Sequence, residues 1–201
     1  ASSRIARAAF ELARERRRKV TAVHKANVLR ISDGLFLREV RKIAGEFPDV
    51  ALDEVIVDAM AALLVRDAQH FDVIVTTNMF GDILSDEAGE LSGSLGLAGS
   101  LNAGSEHALA QAQHGSAPDI AGRNIANPTA LILSCAMLLA WLGRRHQEER
   151  LSRAAAAIDA AIDATLADPA LHTPDLGGSL GTDAFGAAVT EKLAALARAQ
   201  A

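Results

Sequence analysis

Three carboxylates and one lysine in the first half of the chain have types and spacings that suit chemistry. Gly81-Asp82-Ile83-Leu84-Ser85-Asp86 falls in a stretch with a helical pattern. Residues four apart share a helix face, so Asp82 and Asp86 point the same way. Two like charges so placed cost roughly 0.2–0.5 kcal/mol at an exposed site. A hard divalent cation removes that cost, because Mg²⁺ takes oxygen ligands: one or two carboxylates, substrate oxygens and water. The plainer reading is a solvated acidic face shared with Glu87 and Glu90. Asp58 closes the strand-like run Val55-Ile56-Val57. A carboxylate at the C-terminal end of a strand is well placed for a site in an α/β sheet. An ordinary helix N-cap is the alternative. Lys25 stands just beyond the β-branched run Val20 to Val23. Near a metal or other cations a lysine can relay protons, and elsewhere it is a surface residue. His24 beside it reads as a bystander.

A second constellation runs from His114 to Gly122, His-Gly-Ser-Ala-Pro-Asp-Ile-Ala-Gly. Gly115 and Gly122 permit close approach of the backbone, and Pro118 stiffens the loop. Asp119 has the chemistry to accept hydrogen bonds from a ribose diol and would repel a 2′-phosphate. The chain contains no G-x-G-x-x-G phosphate loop. On its own the segment also reads as a turn-rich connector.

The elements that must position these residues alternate. A helix is expected over about Ser3 to Arg18, with Arg14 to Lys19 as its solvated basic end. A strand over Val20–Val23 and a loop at Lys25–Asn27 follow. Asp33-Gly34 opens a second helix carrying Leu35, Val40 and Ile43 on one face, and Pro48-Asp49 breaks it. Val55 to Val57 reads as a strand, Ala59 to Val65 as a helix, and Phe71 to Thr76 as a buried strand. A helix from about Met79 to Leu91 completes an α/β alternation. The Gly- and Ser-rich stretch Ser92 to Ser105 is expected to be irregular and to mark a hinge. Beyond the turn-rich segment His114 to Pro128 come helices over Thr129–Trp141, about Glu148–Leu166, and Asp183–Arg198.

Composition bounds the class. The 201 residues are half apolar, enough for one domain or two lobes. A net charge of -5 and no basic stripe argue against nucleic acid as a partner. The longest apolar run, Ala130 to Leu142, is too short for a membrane span and reads as a buried helix containing Cys135 as a small core residue. A lone cysteine excludes an internal disulfide and fits a reducing, cytoplasmic compartment. The chain opens at Ala1 directly into a helical pattern, which reads as a piece of a longer protein.

Taken together these segments resemble one family, the β-decarboxylating dehydrogenases that act on 3-isopropylmalate, isocitrate, homoisocitrate and tartrate. The resemblance is carried by His24-Lys25-Ala26-Asn27-Val28-Leu29, Asp33-Gly34-Leu35-Phe36, Val57-Asp58-Ala59-Met60, Phe71 to Val75 and Asn78 to Asp86. It continues through His114 to Gly122, Ile125-Ala126-Asn127-Pro128 and Thr173-Pro174-Asp175-Leu176-Gly177-Gly178, in the family's order and spacing.

The resemblance implies an α/β fold like isopropylmalate dehydrogenase, a mixed sheet flanked by helices in two interlocked lobes, with the N-terminal part lying upstream of Ala1. Residues 1–92 would belong to the dimerisation and metal-site lobe, and 93–201 to the C-terminal part of the cofactor-binding lobe. It implies NAD and Mg²⁺ or Mn²⁺ as cofactors, and a hydroxy di- or tricarboxylate as substrate. Asp58, Asp82 and Asp86 would be the metal carboxylates of a homodimer with shared active sites. Asp58 and Lys25 would come from one subunit, Asp82 and Asp86 from the other. The helices around Ala59–Val65 and Ile83–Leu91 would pack on their copies as a four-helix bundle. Lys25 would relay the substrate hydroxyl proton, and Asn27 would lie near the nicotinamide. His114, Gly115, Ser116, Ala117, Asp119, Ile120 and Asn127 would form the adenosine site, with Asp119-Ile120 similar to the NAD-preferring pattern.

Two departures stand out. The family protonates its product enolate with a tyrosine, and this chain has none; its substrate-binding arginines also lie upstream of the segment matching Ala1. Gln111 stands where relatives carry an acidic residue. Asp33-Gly34-Leu35-Phe36 looks like the isocitrate and homoisocitrate branches, whereas the tail from Thr173 looks like the isopropylmalate branch, which is slightly favoured.

Overall fold

The computed structural model describes residues 1–199 and divides into two compact units, Ala1–Leu91 and the chain from Ser92 onward. In the first unit, α1 (Ser2–Arg14), β1 (Lys19–His24), α2 (Ser32–Ala44), β2 (Ala51–Ile56), α3 (Val57–Asp67), β3 (Val73–Val75) and α4 (Asn78–Leu91) follow in order. The three strands form a parallel sheet with β1 between β2 and β3. A central strand covered on both faces must be apolar along its whole length, and Val20 to Val23 are all buried. Val20 and Ala22 pack with Phe10, Phe36, Val40 and Phe47. Val23 packs on the other side with Met60, Leu64, Phe71 and Leu84. Truncating Phe10 or Phe36 to alanine is expected to cost about 3–5 kcal/mol.

Several boundaries differ from expectation, for local reasons. The first helix stops at Arg14, and Arg18 takes a left-handed φ of 59° that turns the chain into β1. Arg14 forks onto Asp49 and lies over the Phe47 ring. The Arg16 guanidinium and the Arg17 backbone N–H both donate to Asp72, whose side chain is 1% exposed. The basic run is therefore a docked turn rather than a solvated helix end. Burial pushes the Asp72 carboxyl up, but Arg16 and the N–H groups of Lys19 and Arg17 outweigh it and hold it below the usual range. Leu35 faces outward; the inner face of α2 is Phe36, Leu37, Val40 and Ile43.

In the second unit, β4 (Gly99–Ala103) and β5 (Ala108–Ala112) form an antiparallel hairpin, followed by α5 (Thr129–His146), α6 (Glu149–Leu166) and α7 (Thr182–Ala199). The stretch Ser92 to Ser105 is thus not irregular throughout: it holds a strand. That strand pairs with β5 and is also tied to α5. The Ser134 hydroxyl oxygen accepts the Ser100 N–H at 2.9 Å and lies 2.7 Å from the carbonyl oxygens of Gln111 and Ala130. Gly99 allows the contact, since a Cβ there would sit 3.1 Å from Leu133 Cβ. α5 buries a stripe of small residues, Ala130, Ser134, Ala136 and Gly143, and exposes Leu131 and Met137. Cys135 is exposed, not a core residue, and the residues buried on either side of it are Ser134 and Ala136. Ala161, Ile162, Phe185 and Val189 form the core between α6 and α7. Among the described residues no helix is long and apolar enough to cross a membrane.

Candidate active site

The C-terminal edge of the parallel sheet gathers the first group of expected residues. His24 and Ile56 are paired in register at the ends of β1 and β2. Lys25 is the next residue after His24, and Asp58 is the second residue of α3. The two side chains therefore leave neighbouring strand ends, and Lys25 Nζ donates to Asp58 Oδ1. This hydrogen bond, above all, holds the Asp58 carboxyl below its ordinary value. Asp58 is not an N-cap: that position is Ile56, whose side chain caps nothing. A carboxylate in the first turn still suits the helix dipole.

Two residues that spacing did not single out hold this corner. Asp33 is 3% exposed and accepts the Lys25 backbone N–H at 2.6 Å. His24, read as a bystander, accepts the Ala26 N–H on Nδ1 at 3.0 Å. An acid at a helix start, eight residues after a candidate lysine, was the available signal. Asn27 is exposed in the turn that follows.

Asp82 and Asp86 lie one turn apart on exposed positions of α4, and Asn78 Nδ2 donates to Asp82 Oδ2 at 3.0 Å. Beside them Met79 and Ile83 are exposed, as is Val65 on α3. Among the described residues no three His, Cys, Asp or Glu side chains converge where one metal ion could be held. Asp82 and Asp86 are hard oxygen donors of the kind Mg²⁺ and Mn²⁺ take, yet two carboxylates leave most of an octahedral shell unfilled. The donor chemistry fits such an ion, and the number of donors within one chain does not complete its site.

In the second unit, the loop after β5 forms an open cleft of about 450 Å³. His114, Gly115, Ser116, Ala117 and Ile120 line it, together with Asn124, Thr182 and Asp183. Its shape requires left-handed backbone at Ala117 (φ 43°), Gly122 (φ 75°) and Asn124 (φ 54°). Asn124 also starts α7: its Oδ1 accepts the Asp183 N–H at 3.1 Å and its carbonyl accepts the Thr182 N–H at 3.0 Å. Thr182 Oγ1 in turn donates to the Ala126 carbonyl at 2.6 Å. Asn124, Thr182 and Asp183 were missed; an Asn that pairs across 59 residues leaves no local signature.

Two expected adenosine residues stand apart from the lining. Asp119 is exposed on the turn Pro118–Ile120. Asn127 is 7% exposed, and its amide is used within the protein: Nδ2 donates to Asp175 and Oδ1 accepts the Thr129 N–H, each at 3.0 Å. Gln111 is exposed on β5, with its carbonyl turned to Ser134.

The isocitrate/isopropylmalate dehydrogenase family model matches residues 1–190. The chain belongs to that family. The 3-isopropylmalate dehydrogenase of Methanothermobacter thermautotrophicus is 49% identical over 194 residues, covering 96% of this chain and 56% of that protein. The isocitrate/homoisocitrate dehydrogenase of Thermus thermophilus is 50% identical over 197 residues, covering 98% of this chain and 57% of that one. Among solved structures, isocitrate dehydrogenase from Methylococcus capsulatus superposes with a TM-score of 0.87 at 47% identity, over 96% of this chain and 56% of that one. The fold is therefore the α/β fold of the isocitrate/isopropylmalate dehydrogenases, and the chain spans about half the length of the curated relatives it matches.

Proposed function

We propose that the whole protein is an NAD-dependent, Mg²⁺- or Mn²⁺-dependent dehydrogenase. It would oxidatively decarboxylate a 2-hydroxy-3-carboxy acid, with 3-isopropylmalate slightly favoured over isocitrate or homoisocitrate. The observation that carries this reading is the Lys25–Asp58 pair at the C-terminal sheet edge, in a chain of this family. A bound divalent ion would polarise the substrate oxygens, and NAD⁺ would accept the hydride. Lys25 Nζ, released from Asp58 once that carboxylate serves as a ligand, would move the proton at the substrate hydroxyl. Asn27 would serve the nicotinamide half of the cofactor. The loop from His114 to Ile120, with Asp119 favouring a free ribose diol, would take the adenosine half.

On this reading a second copy completes the ligand set. Asp58 of one subunit would act with Asp82 and Asp86 of another, in a homodimer joined through α3 and α4. Val65 at 65% and Ile83 at 60% exposed are the apolar residues such a contact would cover. Residues 1–92 are accordingly assigned to dimerisation and the metal site, and 93–201 to the cofactor. The exposed free thiol of Cys135 suits the reducing cytoplasm.

A second reading, a truncated or regulatory chain that binds nucleotide or a catalytic partner, is favoured by Gln111. NADH formation separates the two. Full-length protein supplied with NAD⁺, Mn²⁺ and each candidate acid in turn should reduce NAD⁺ with one of them. Chelation and Asp82→Asn should each abolish the signal. No turnover with any acid rules out the enzymatic reading, and nucleotide binding without turnover supports the regulatory one.

A further inference from the structure

A carboxylate that no expected site contained holds Asn127, the residue that follows the lining residues Ile125 and Ala126 of the cleft. Asp175 lies in the short turn Pro174–Leu176. Its Oδ2 accepts the Ser94 hydroxyl at 2.5 Å and the Asn127 amide at 3.0 Å, and its Oδ1 accepts the Thr173 hydroxyl at 2.5 Å. The donors come from positions 94, 127 and 173, and all three residues are buried. Two of them are also acceptors: Ser94 Oγ takes the Gly96 N–H, and Asn127 Oδ1 takes the Thr129 N–H that opens α5. The junction is closely packed, since a Cβ on Gly96 would sit 2.9 Å from Asn127 Cβ and 3.0 Å from Asp175 Oδ2. Burial pushes the Asp175 carboxyl up, but the bonds from Ser94, Thr173 and Asn127 outweigh it and hold it below the ordinary range.

This junction acts on the cleft through Asn127. Ile125 and Ala126, the two residues before it, form part of the cleft lining. Thr182 holds the Ala126 carbonyl from the other side. The backbone of 125–127 is therefore fixed at two points, one of which is the Asp175–Asn127 bond. Hydrogen bonds to an ionised acceptor are roughly twice as strong as those between neutral groups. An amide at 175 would weaken all three bonds and could turn a donor toward another donor.

We propose that Asp175 is a positioning residue for the nucleotide: it locks Asn127, and through it the lining residues Ile125 and Ala126 of the adenosine cleft. The proposal rests on the reading of that cleft as the NAD site. Its test is steady-state kinetics on the full-length protein, with thermal unfolding measured alongside. Asp175→Asn should raise KM for NAD⁺ about tenfold, the value of one lost charge-assisted hydrogen bond. Its kcat should change by less than about twofold, because no group at the reacting centre is touched. The exchange D175N/N127D can rebuild the bond with donor and acceptor reversed, and should lower KM again. Ser94→Ala removes one donor without altering Asn127, and should raise KM by about threefold, a weaker loss than that of a whole charged acceptor. An unchanged KM in Asp175→Asn, or a fall in melting temperature that the exchange restores without restoring KM, would overturn the proposal. If Asp175→Asn does not fold, an unchanged KM in Ser94→Ala overturns it instead. Absence of NAD⁺ binding by the unsubstituted protein in calorimetry is a different result, and brings down the cofactor reading itself.

Discussion

The edge of the parallel sheet and the loop after β5 both hold a few polar atoms in place, by opposite means. At the sheet edge the groups proposed for chemistry are charged side chains. They stand just past the ends of adjacent strands, and Lys25 and Asp58 hold each other. In the loop most of the lining residues are small; the lining residue Thr182 holds the Ala126 carbonyl, and Asp175, outside the lining, holds Asn127 and Ser94. Substitutions at the first place should therefore change the reaction, and substitutions around the second should change occupancy.

The contrast is sharpest at Lys25. Lys25→Ala should lower kcat by about 10²–10⁴-fold, the usual contribution of a positioned acid or base. Nucleotide affinity, read by calorimetry, should stay within about twofold of the unsubstituted protein. A parallel loss of affinity would erase the distinction between the two regions. Asp33→Ala leaves the Lys25 N–H without its buried acceptor. It should cost about 1–3 kcal/mol of stability by urea unfolding, and about tenfold in kcat. A kcat that survives this change would show that the strand end alone sets the lysine. Asp72→Asn should affect turnover least and bear on stability alone. The folded Asp72 carboxyl titrates below its unfolded value of about 3.9. Its stabilisation is therefore fully present above that pH and lost as pH falls through the folded value. The variant should be less stable than the parent at neutral pH by about 1–3 kcal/mol, with the gap closing in acid. A gap that stays constant down to pH about 2 would mean that the Arg16 and Arg17 contacts do not depend on the charge.

Strands β1 and β3 were legible because they contain apolar runs bounded by turn residues. β2 was read only at its end: the expected strand Val55–Val57 is instead Ala51–Ile56, whose Asp53 and Glu54 hide it, and Val57 already opens α3. The hairpin was not legible. Gly99-Ser100-Leu101-Asn102-Ala103 has poor strand propensity, and it becomes a strand by pairing with β5, with Ser134, 34 residues away, accepting the Ser100 N–H. Helix α5 misleads in a related way. It packs through Ala130, Ser134, Ala136 and Gly143, so ranking by hydrophobicity points to Leu131 and Met137, which face outward. For the site, Lys25 and Asp58 were readable as strand-end residues, but their ion pair needed the register His24↔Ile56. Asn127 was readable as part of a motif, but not the use of its amide by Asp175, 48 residues on.

The spread of the carboxylates has one more consequence. Within one chain no described trio of ligands meets, so in the proposed homodimer the cation is also a fastener. Whatever binds only the paired state favours pairing, and by reciprocity pairing tightens the grip on the cation. Metal content would then depend on protein concentration, and dilution would strip the ion as a chelator does.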